Sequence, residues 1–374
     1  MKILHIVDSE GYYGAEVMIV TLALEQLKQG DHPIVCGTVR PGQEESEIVI
    51  RARAVGLQSV TLSLSGDYWH QSGEIYDYAR SCAVELIHSH GYRPGILLGL
   101  QSGNSKVTKI RTLHGWTHVS AFSKMAIYSL FDALLLRRQD AVVVVSNQMR
   151  DLPLLRLVPR RLISYIANGI PVVASIPKTI DDLGDEKWRQ LCRDCFVIGS
   201  IGRLSAEKAQ ADMLYAVARL HNKGLKIALI IIGEGDERQR LEQLAVELGI
   251  EGYVHLPGYK EDAASYMPLF DLFCLSSRTE GLPMTLLEAM RQKIPVLSTN
   301  VGAIPELLTD GRGYLISPGD IDEMSTTIKS VIEVPDQARI ATEVAYDLFN
   351  NNYNSEIMAD RYKEIYCSAM AARV

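Results

Sequence analysis

Short apolar runs alternate with longer amphipathic stretches along most of the chain, and this alternation constrains the fold more than any other feature. In the first half, β-branched runs predict strands at 3–7, 33–39, 59–64, 106–110 and 141–146. The intervening stretches predict helices at 15–29, 43–55, 71–84 and 121–137. Near-continuous apolar strands separated by helices are typical of a parallel sheet covered on both faces. The sequence therefore predicts an α/β fold.

The same pattern begins again near residue 196. Strands are predicted at 196–204, 226–233, 253–258, 271–277 and 294–299. Both halves open with a strand, a glycine-containing loop and a helix, and 374 residues are too many for one comfortable core. We therefore expect two Rossmann-like domains, 1–170 and 191–351, facing each other across a cleft. The proline-rich and charged stretch 171–190 is predicted to link them.

Charge is distributed unevenly within a net charge of −7, because basic residues gather between 101 and 161 while the second half is acidic. A basic face suits an anionic membrane or an anionic acceptor, and solubilising charge on helices explains it equally well. No aromatic interleaving or known module indicates nucleic acid as a partner. The N-terminus does not have the form of a signal peptide, and no apolar run is long enough to span a bilayer. We expect a cytoplasmic protein, with peripheral contact at the inner face of the cell membrane as a further possibility.

The six cysteines are too scattered for a disulfide framework, which fits a reducing compartment. Cys192 and Cys195 form one C-x-x-C pair without a second pair or nearby histidines. We interpret them as two structural thiols rather than as a zinc site or a redox pair.

Candidate anion-binding groups follow the first strand of each half. In sheets of this kind, ligands bind outside the carboxyl ends of the strands. Gly14 precedes a helix start whose free N–H groups can face an anion. Arg203 and Lys208 occupy the matching place in the second half, where fixed cations suit a pyrophosphate. Two solvated side chains are the alternative interpretation.

Two glutamates in the segment 276–290 are the most informative residues. Glu280 lies in a loop after a strand, and Glu288 lies about one turn into the next helix, among apolar residues. A carboxylate in apolar surroundings needs a partner, and carboxylates accept hydrogen bonds from sugar hydroxyls. Gly281 and the helix N-terminus are suited to holding phosphate. The alternative is a capping residue and a surface charge.

Taken in order, the motifs resemble those of retaining glycosyltransferase family four, also called glycosyl transferases group 1, over nearly the whole chain. The resemblance rests on the segments GAE (14–16), TLHG (112–115), NGI (168–170), GRL…EK (202–208), GEG (233–235), E-x7-E (280–288), PVLSTNVGAIPELL (295–308) and GYLISPGD (313–320). It implies the two-domain GT-B fold, in which the last helix, 352–374, returns to pack on the first domain. It also implies a nucleotide-sugar donor, no metal and no other cofactor.

The resemblance assigns a role to each matching position. Glu288 would bind the ribose hydroxyls and Glu280 the donor sugar, while Arg203 and Lys208 would hold the pyrophosphate. The remaining assignments are the backbone around phosphate and sugar at Gly281, Leu282 and Pro283, the base region at Gly233 and Gly235 with 254–259, the diphosphate approach at Gly14, and the reacting sugar beside His114. His114, Arg203, Lys208 and Glu280 are thus the catalytic candidates.

The function expected from this resemblance is transfer of a sugar to a glycan, lipid-linked or small-molecule acceptor in cell-surface polysaccharide assembly. A nucleotide-sugar epimerase or a phosphorylase on the same fold is a second hypothesis, and a catalytically silent nucleotide-sugar-binding subunit is a third. A dinucleotide dehydrogenase ranks last because neither half opens with G-x-G-x-x-G. His114 and His118 have helical spacing without an HE-x-x-H pattern, so no metal is predicted; His88 and His90 are expected to shape the acceptor side.

Overall fold

The computed structural model describes residues 1–8, 11–12, 14–101, 107–114, 124–172 and 176–373. The chain divides into two compact units. The first unit comprises Met1–Pro171 together with Asn352–Val374, and the second comprises Val172–Asn351. Within the described residues, none of the helices combines the length and the hydrophobicity needed to cross a bilayer.

The first unit contains a seven-stranded parallel sheet in the order β3-β2-β1-β4-β5-β6-β7. Its strands are β1 (Lys2–Val7), β2 (His32–Val39), β3 (Gln58–Ser63), β4 (Leu86–His90), β5 (Thr108–Leu113), β6 (Ala141–Val144) and β7 (Ile163–Tyr165). The helices between them are α1 (Gly14–Lys28), α2 (Glu47–Ala54), α3 (Tyr68–Ser81), α4 (Tyr92–Leu100) and α5 (Lys124–Leu136). The order of the strands reverses between β1 and β4, which is where open sheets of this kind bind ligands.

The second unit repeats this arrangement with six parallel strands in the order β10-β9-β8-β11-β12-β13. Its strands are β8 (Phe196–Ile201), β9 (Ile227–Ile232), β10 (Val254–Gly258), β11 (Leu272–Leu275), β12 (Val296–Thr299) and β13 (Tyr314–Ile316). Its helices are α6 (Glu186–Asp194), α7 (Ala211–His221), α8 (Arg238–Glu247), α9 (Met284–Arg291), α10 (Ile304–Leu308), α11 (Ile321–Glu333) and α12 (Pro335–Asn352). The reversal point here lies between β8 and β11.

Short 3-10 helices complete the described structure, at Asn147–Asp151, Pro153–Leu157, Arg160–Leu162, Ile180–Asp182, Ala206–Lys208 and Ala263–Leu269. The last helix, α13 (Ser355–Ala371), packs on the sheet of the first unit. Its Tyr362 and Tyr366 are fully buried in the core beside β1 and β5. The returning chain passes the NGI segment closely enough that a Cβ on Gly169 would clash with the carbonyl of Asn354. This close contact explains why a glycine stands at position 169.

Several elements differ from the sequence-based expectation. The stretch 171–190, predicted as a linker, lies almost wholly in the second unit, where α6 begins at Glu186. The many charged residues of this stretch favoured a linker, but Trp188 and Leu191 lie three residues apart and are buried on one face of α6. The side chain of Asp185 accepts a hydrogen bond from the Trp188 N–H at 3.0 Å and begins that helix.

Candidate active site

The loops that follow β8 and β9 are held together in the second unit by backbone contacts. The N–H of Leu204 donates to the carbonyl of Glu234 at 2.9 Å. Gly233 and Gly235 have φ angles of +152° and +156°, and a Cβ at either position would clash with the carbonyls of Gly202 and Leu204, respectively. The two glycines predicted near the base therefore let these loops approach. Their part in binding a base remains a prediction.

Lys208 and Glu280 form an ion pair at the reversal point of this sheet. Their Nζ and Oε1 atoms are 2.6 Å apart, although 72 residues separate them in sequence. Lys208 follows β8 and Glu280 follows β11, and these strands are neighbours. The carboxylate is only 8% exposed and also accepts a hydrogen bond from Ser277 Oγ at 2.6 Å. The pair is thus preorganised where a ligand of a parallel sheet binds.

The backbone on both sides of this pair is fixed as well. Ser276 Oγ donates to the carbonyl of Lys208 at 2.9 Å, which ties the loop after β11 to the loop after β8. Gly302 adopts φ +56°, and a Cβ there would clash with the carbonyl of Glu280. The N–H of Ala303 donates to the carbonyl of Gly281 at 3.1 Å. Sequence reasoning gave Gly302 no role, and its position just after β12 was the signal that could have found it.

Arg203 does not join Lys208 and Glu280 in this structure. Its guanidinium pairs with Glu207 at 2.5 Å, and its side chain is 71% exposed. Of the four side chains expected to bind the donor, Lys208 and Glu280 are in direct contact. The physical reason for the position of Arg203 is local: Glu207 lies four residues away in the same loop and competes for the guanidinium at little cost in chain entropy.

Glu288 lies on α9 as expected, and the segment before the helix has the predicted order. Pro283 occupies the N-cap position, with Gly281 exposed and Leu282 partly buried ahead of it. Glu288 itself is flanked by buried residues of the same helix. Burial raises the pKa of its carboxyl from the ordinary 4.5 to about 7, with Arg291 lowering that pKa and Asp262 adding to the rise. Glu288 is thus a group of the site whose charge changes near neutral pH.

This raised pKa predicts a pH-dependent effect of Glu288→Gln. The folded protein holds the proton more tightly than the unfolded chain, so stability falls as pH rises from about 4.5 through about 7. Glutamine cannot ionise and removes that loss. We expect the variant to be more stable than the wild type by about 3 kcal/mol at pH 8 and by about 1 kcal/mol at pH 5, because each unit of pKa is worth about 1.4 kcal/mol and the rise from 4.5 to about 7 has its full effect only above pH 7.

Urea unfolding of both proteins at the two pH values measures this effect. Glu333→Gln is the matched control, because Glu333 has an exposed side chain, 3.4 Å from Lys329 on α11 of the same unit. We expect the control to show no such pH dependence. An equal stability difference at pH 5 and pH 8 for Glu288→Gln would contradict the assignment.

In the first unit, the predicted residues lie after β1 and β5. Gly14 begins α1 and is exposed, while residues 9, 10 and 13 of its loop lie outside the described residues, as do Gly115 and His118. His114 follows β5, and its Nε2 is 2.9 Å from Nδ1 of His90. Burial lowers the pKa of His114 to about 4, so its ring is neutral near pH 7.

A polar cavity of about 830 Å³ opens at the reversal point of the first sheet. Asp8 follows β1 and Arg93 lies at the start of α4 after β4, and the two are paired at 3.2 Å. Thr38 Oγ1 donates to Asp8 at 3.1 Å. Sequence reasoning missed Arg93, whose place three residues after the buried end of β4 was the available signal.

Two family models match the chain, one in each half. The model described as Glycosyltransferase Family 4 matches residues 12–173, and the model described as Glycosyl transferases group 1 matches residues 189–347. A lipopolysaccharide core biosynthesis glycosyltransferase of Rhizobium meliloti is 26% identical over 234 residues, covering 56% of this chain and 67% of that protein. The UDP-Gal:alpha-D-GlcNAc-diphosphoundecaprenol alpha-1,3-galactosyltransferase of Escherichia coli is 23% identical over 349 residues, covering 91% and 89%.

Solved structures show the same fold. The crystal structure of Anabaena HepE in complex with UDP superposes with a TM-score of 0.81 at 19% identity, covering 98% of this chain and all of that one. Sucrose-phosphate synthase of Thermosynechococcus elongatus gives a TM-score of 0.77 at 17% identity, covering 99% of both chains. With two parallel α/β sheets, a last helix packed on the first unit, and a family match in each half, the chain belongs to glycosyltransferase family four and is a glycosyltransferase of the GT-B fold.

Proposed function

We propose that this glycosyltransferase moves a hexose from a UDP-sugar to a glycan or lipid-linked acceptor in cell-surface polysaccharide assembly, with retention of anomeric configuration. The observation that carries the proposal is the Lys208–Glu280 pair at the reversal point of the second sheet, bonded at 2.6 Å. It combines a cation suited to a diphosphate with a carboxylate suited to a sugar hydroxyl. The epimerase, phosphorylase and silent-subunit alternatives are not favoured by the family matches.

In this proposal, the donor diphosphate takes Lys208 from Glu280 and so frees the carboxylate to accept a hydrogen bond from the sugar. The ammonium stabilises the negative charge that grows on the diphosphate as the glycosidic bond breaks. The acceptor hydroxyl attacks from the face on which the diphosphate leaves, and a phosphate oxygen takes its proton. Glu288 binds the ribose, while Gly281, Leu282 and Pro283 supply backbone beside phosphate and sugar. No protein nucleophile and no metal take part.

The choice of uridine as the base rests on two kinds of similarity. HepE of Anabaena was crystallised with UDP and with UDP-glucose, and the Escherichia coli relative is named for a UDP-galactose donor. A thermal-shift screen with UDP, GDP, ADP and their hexose conjugates tests the choice. A ligand at 100 times its Kd stabilises the folded state by about 2.7 kcal/mol, enough to raise Tm by several degrees. We expect UDP and one UDP-hexose to do so.

The screen also separates the alternatives. NAD serves as a control, because it stabilises a dehydrogenase and leaves this protein unchanged. Stabilisation by GDP or ADP instead of UDP would overturn the choice of base, and no response to any nucleotide would overturn the proposed function. An epimerase would convert its UDP-sugar without any acceptor present.

We infer that the acceptor side of the first unit contacts an anionic membrane through α5. Leu130, Phe131 and Leu134 are each more than 40% exposed on this helix. Arg137 and Arg138 follow at its C-terminal end and are exposed. An apolar helix face beside basic residues is typical of segments that lie in a membrane interface. A lipid-linked acceptor would be presented at such an interface.

Sedimentation with phosphatidylglycerol vesicles tests this contact. We expect Leu130→Ser/Leu134→Ser to lower the partition coefficient of the protein between vesicles and water about tenfold, because less apolar area enters the membrane interface. Val246→Ser, at an apolar residue of α8 in the second unit that is even more exposed, is the control and should bind like the wild type. Equal binding of both variants, or equal binding to neutral phosphatidylcholine vesicles, would contradict the inference.

A further inference from the structure

Three histidines and one glutamine form a continuous chain of hydrogen bonds in the first unit. Gln26 Oε1 lies 2.7 Å from His5 Nε2, His5 Nδ1 lies 3.2 Å from His90 Nε2, and His90 Nδ1 lies 2.9 Å from His114 Nε2. A further buried histidine, His88, packs beside His90 with ring centroids 4.1 Å apart and the rings tilted by 38°. The chain runs across the neighbouring strands β1, β4 and β5 to the candidate catalytic residue.

The orientation of the glutamine amide sets the direction of the chain. Gln26 Nε2 donates to the hydroxyl of Tyr366 at 3.3 Å, so its Oε1 faces His5 and accepts the Nε2 proton of that ring. A neutral imidazole carries one N–H and one acceptor nitrogen. His5 Nδ1 must then accept from His90 Nε2, and His90 Nδ1 must accept from His114 Nε2.

All four imidazole rings are neutral near pH 7. Burial lowers the pKa of His5 and of His114 to about 4. It lowers the pKa of His88 and of His90 well below the ordinary 6.5, with help from the neighbouring imidazoles. Each ring therefore carries a single N–H proton, and the amide orientation of Gln26 determines which nitrogen of His114 is protonated.

A side branch of hydrogen bonds agrees with the same assignment. The Tyr366 hydroxyl accepts from Gln26 and is 2.7 Å from His88 Nδ1, to which it donates. His88 Nε2 then donates to Thr112 Oγ1 at 2.7 Å, and that hydroxyl is 3.0 Å from the hydroxyl of Tyr362. The last helix of the chain, α13, thus contributes two tyrosines to the network.

A metal site is the competing interpretation of this cluster. Ring nitrogens of His5, His88 and His90 lie within 4.8 Å of one another, close enough for three ligands of one ion. All six nitrogens of these rings, however, already have protein partners in one consistent set of donors and acceptors. The hydrogen-bonded chain accounts for every one of them without an ion.

The chain leaves one atom unused at its far end. With the proton on Nε2, His114 Nδ1 presents a lone pair, and this buried atom has no partner among the residues that the structure describes. His114 lies just after β5, at the carboxyl edge of the sheet where ligands bind. A buried acceptor without a donor is costly, and a ligand hydroxyl would supply the missing donor.

We propose that Gln26, His5 and His90 are positioning residues that fix His114 as the Nε2–H tautomer, so that its Nδ1 accepts a hydrogen bond from a substrate hydroxyl. The tautomer assignment follows from the hydrogen-bond geometry and the neutral state of the rings, and is independent of the proposed function. The identification of the hydroxyl as one of a sugar rests on the proposed function.

Nitrogen-15 NMR of the ligand-free protein, labelled only at its nine histidines, tests the tautomer directly. We expect His114 to be fully protonated on Nε2 and to show an N–H···N coupling to His90 Nδ1. In His90→Leu the bond is lost, and both His114 nitrogen signals should move toward the values of an exchanging mixture. His90→Asn offers a carbonyl oxygen to His114 Nε2–H and should keep the single tautomer.

His221→Asn is the control, because it removes a partly buried histidine of the second unit, where it hydrogen-bonds to the carbonyl of Ile227. It should leave the His114 signals unchanged. A wild-type His114 protonated on Nδ1, or a stoichiometric metal in the purified protein, would overturn the proposal. So would an unchanged single tautomer in His90→Leu.

Turnover of the UDP-sugar found in the donor screen tests the link to the substrate. We expect His90→Leu to lower kcat at least tenfold while the Kd for UDP stays within twofold, and His90→Asn to recover most of the rate. A merely structural role would lower both variants alike. Absence of UDP binding in the wild type would count against the proposed function and would leave the tautomer result standing.

Discussion

Replacing Lys208 by alanine should lower turnover of the nucleotide-sugar donor by a factor of about 100 to 1,000. Removing one preorganised group that stabilises developing charge costs about 3 to 4 kcal/mol of transition-state stabilisation in comparable sites. Lys208 is placed for such a role because its ammonium lies 2.6 Å from Glu280 Oε1. Its backbone is fixed as well, since Ser276 Oγ donates to the Lys208 carbonyl. Single-turnover measurement with the UDP-sugar found in the screen reports the chemical step.

Two further variants separate chemistry from folding in this experiment. Lys208→Ala alone leaves the nearly buried Glu280 carboxylate without its cation, which destabilises the fold. Lys208→Met/Glu280→Gln removes both charges and should recover stability but not turnover. Lys329→Ala, at an exposed helix position of the same unit, should behave as the wild type. Turnover of Lys208→Ala within threefold of the wild type would show that this cation does not stabilise the leaving group.

Asp132→Ala should lower the free energy of unfolding of the first unit by about 3 to 5 kcal/mol. Arg111 on β5 and Asp132 on α5 form a bidentate ion pair, at 2.6 and 2.9 Å, whose side chains are 1% and 0% exposed. Losing the carboxylate leaves a guanidinium buried without its counter-ion. Gly95 packs so closely on the guanidinium that a Cβ there would clash with it, so the side chain has no room to turn away.

Hydrogen exchange of the β5 amides in increasing urea measures this loss within the first unit. The fluorescence of Trp188, buried in the second unit, should change at the same urea concentration in wild type and variant. Arg111→Met/Asp132→Leu replaces the pair by apolar side chains and should recover most of the stability. A loss below 1 kcal/mol in Asp132→Ala would mean that the pair is not buried as described.

Several strands with an apolar burial pattern were predicted, and two strands with polar or charged residues in the interior were missed or misplaced. β1, β2 and β9 read as continuous apolar runs and were predicted within two residues of their observed bounds. β4 was not predicted as a full strand, because LIHSH places two histidines and a serine in the interior. β5 was predicted too early, at 106–110, since Lys109 and Arg111 of TKIRTL are buried charges that break the apolar pattern.

The candidate site divides in the same way. The pairing of Lys208 with Glu280 follows from two loops at neighbouring strand ends, which a parallel sheet brings together. Arg203 pairs with Glu207 instead, and this choice depends on the side-chain rotamer, which the spacing of residues along the chain does not decide. The histidine chain depends on the register of β1 with β4, in which His5 lies opposite His88. Which residues of two distant strands lie opposite each other depends on the register of the packed sheet, which the spacing within one strand does not decide.

The central claim is that the second unit binds the donor through Lys208. Calorimetric titration of the protein with UDP tests this claim most directly. The wild type should bind one UDP, Lys208→Ala should bind it at least tenfold more weakly, and His114→Ala should bind it within twofold of the wild type. Undetectable binding to the wild type, or binding that is lost with His114 and unaffected by Lys208, would contradict this account.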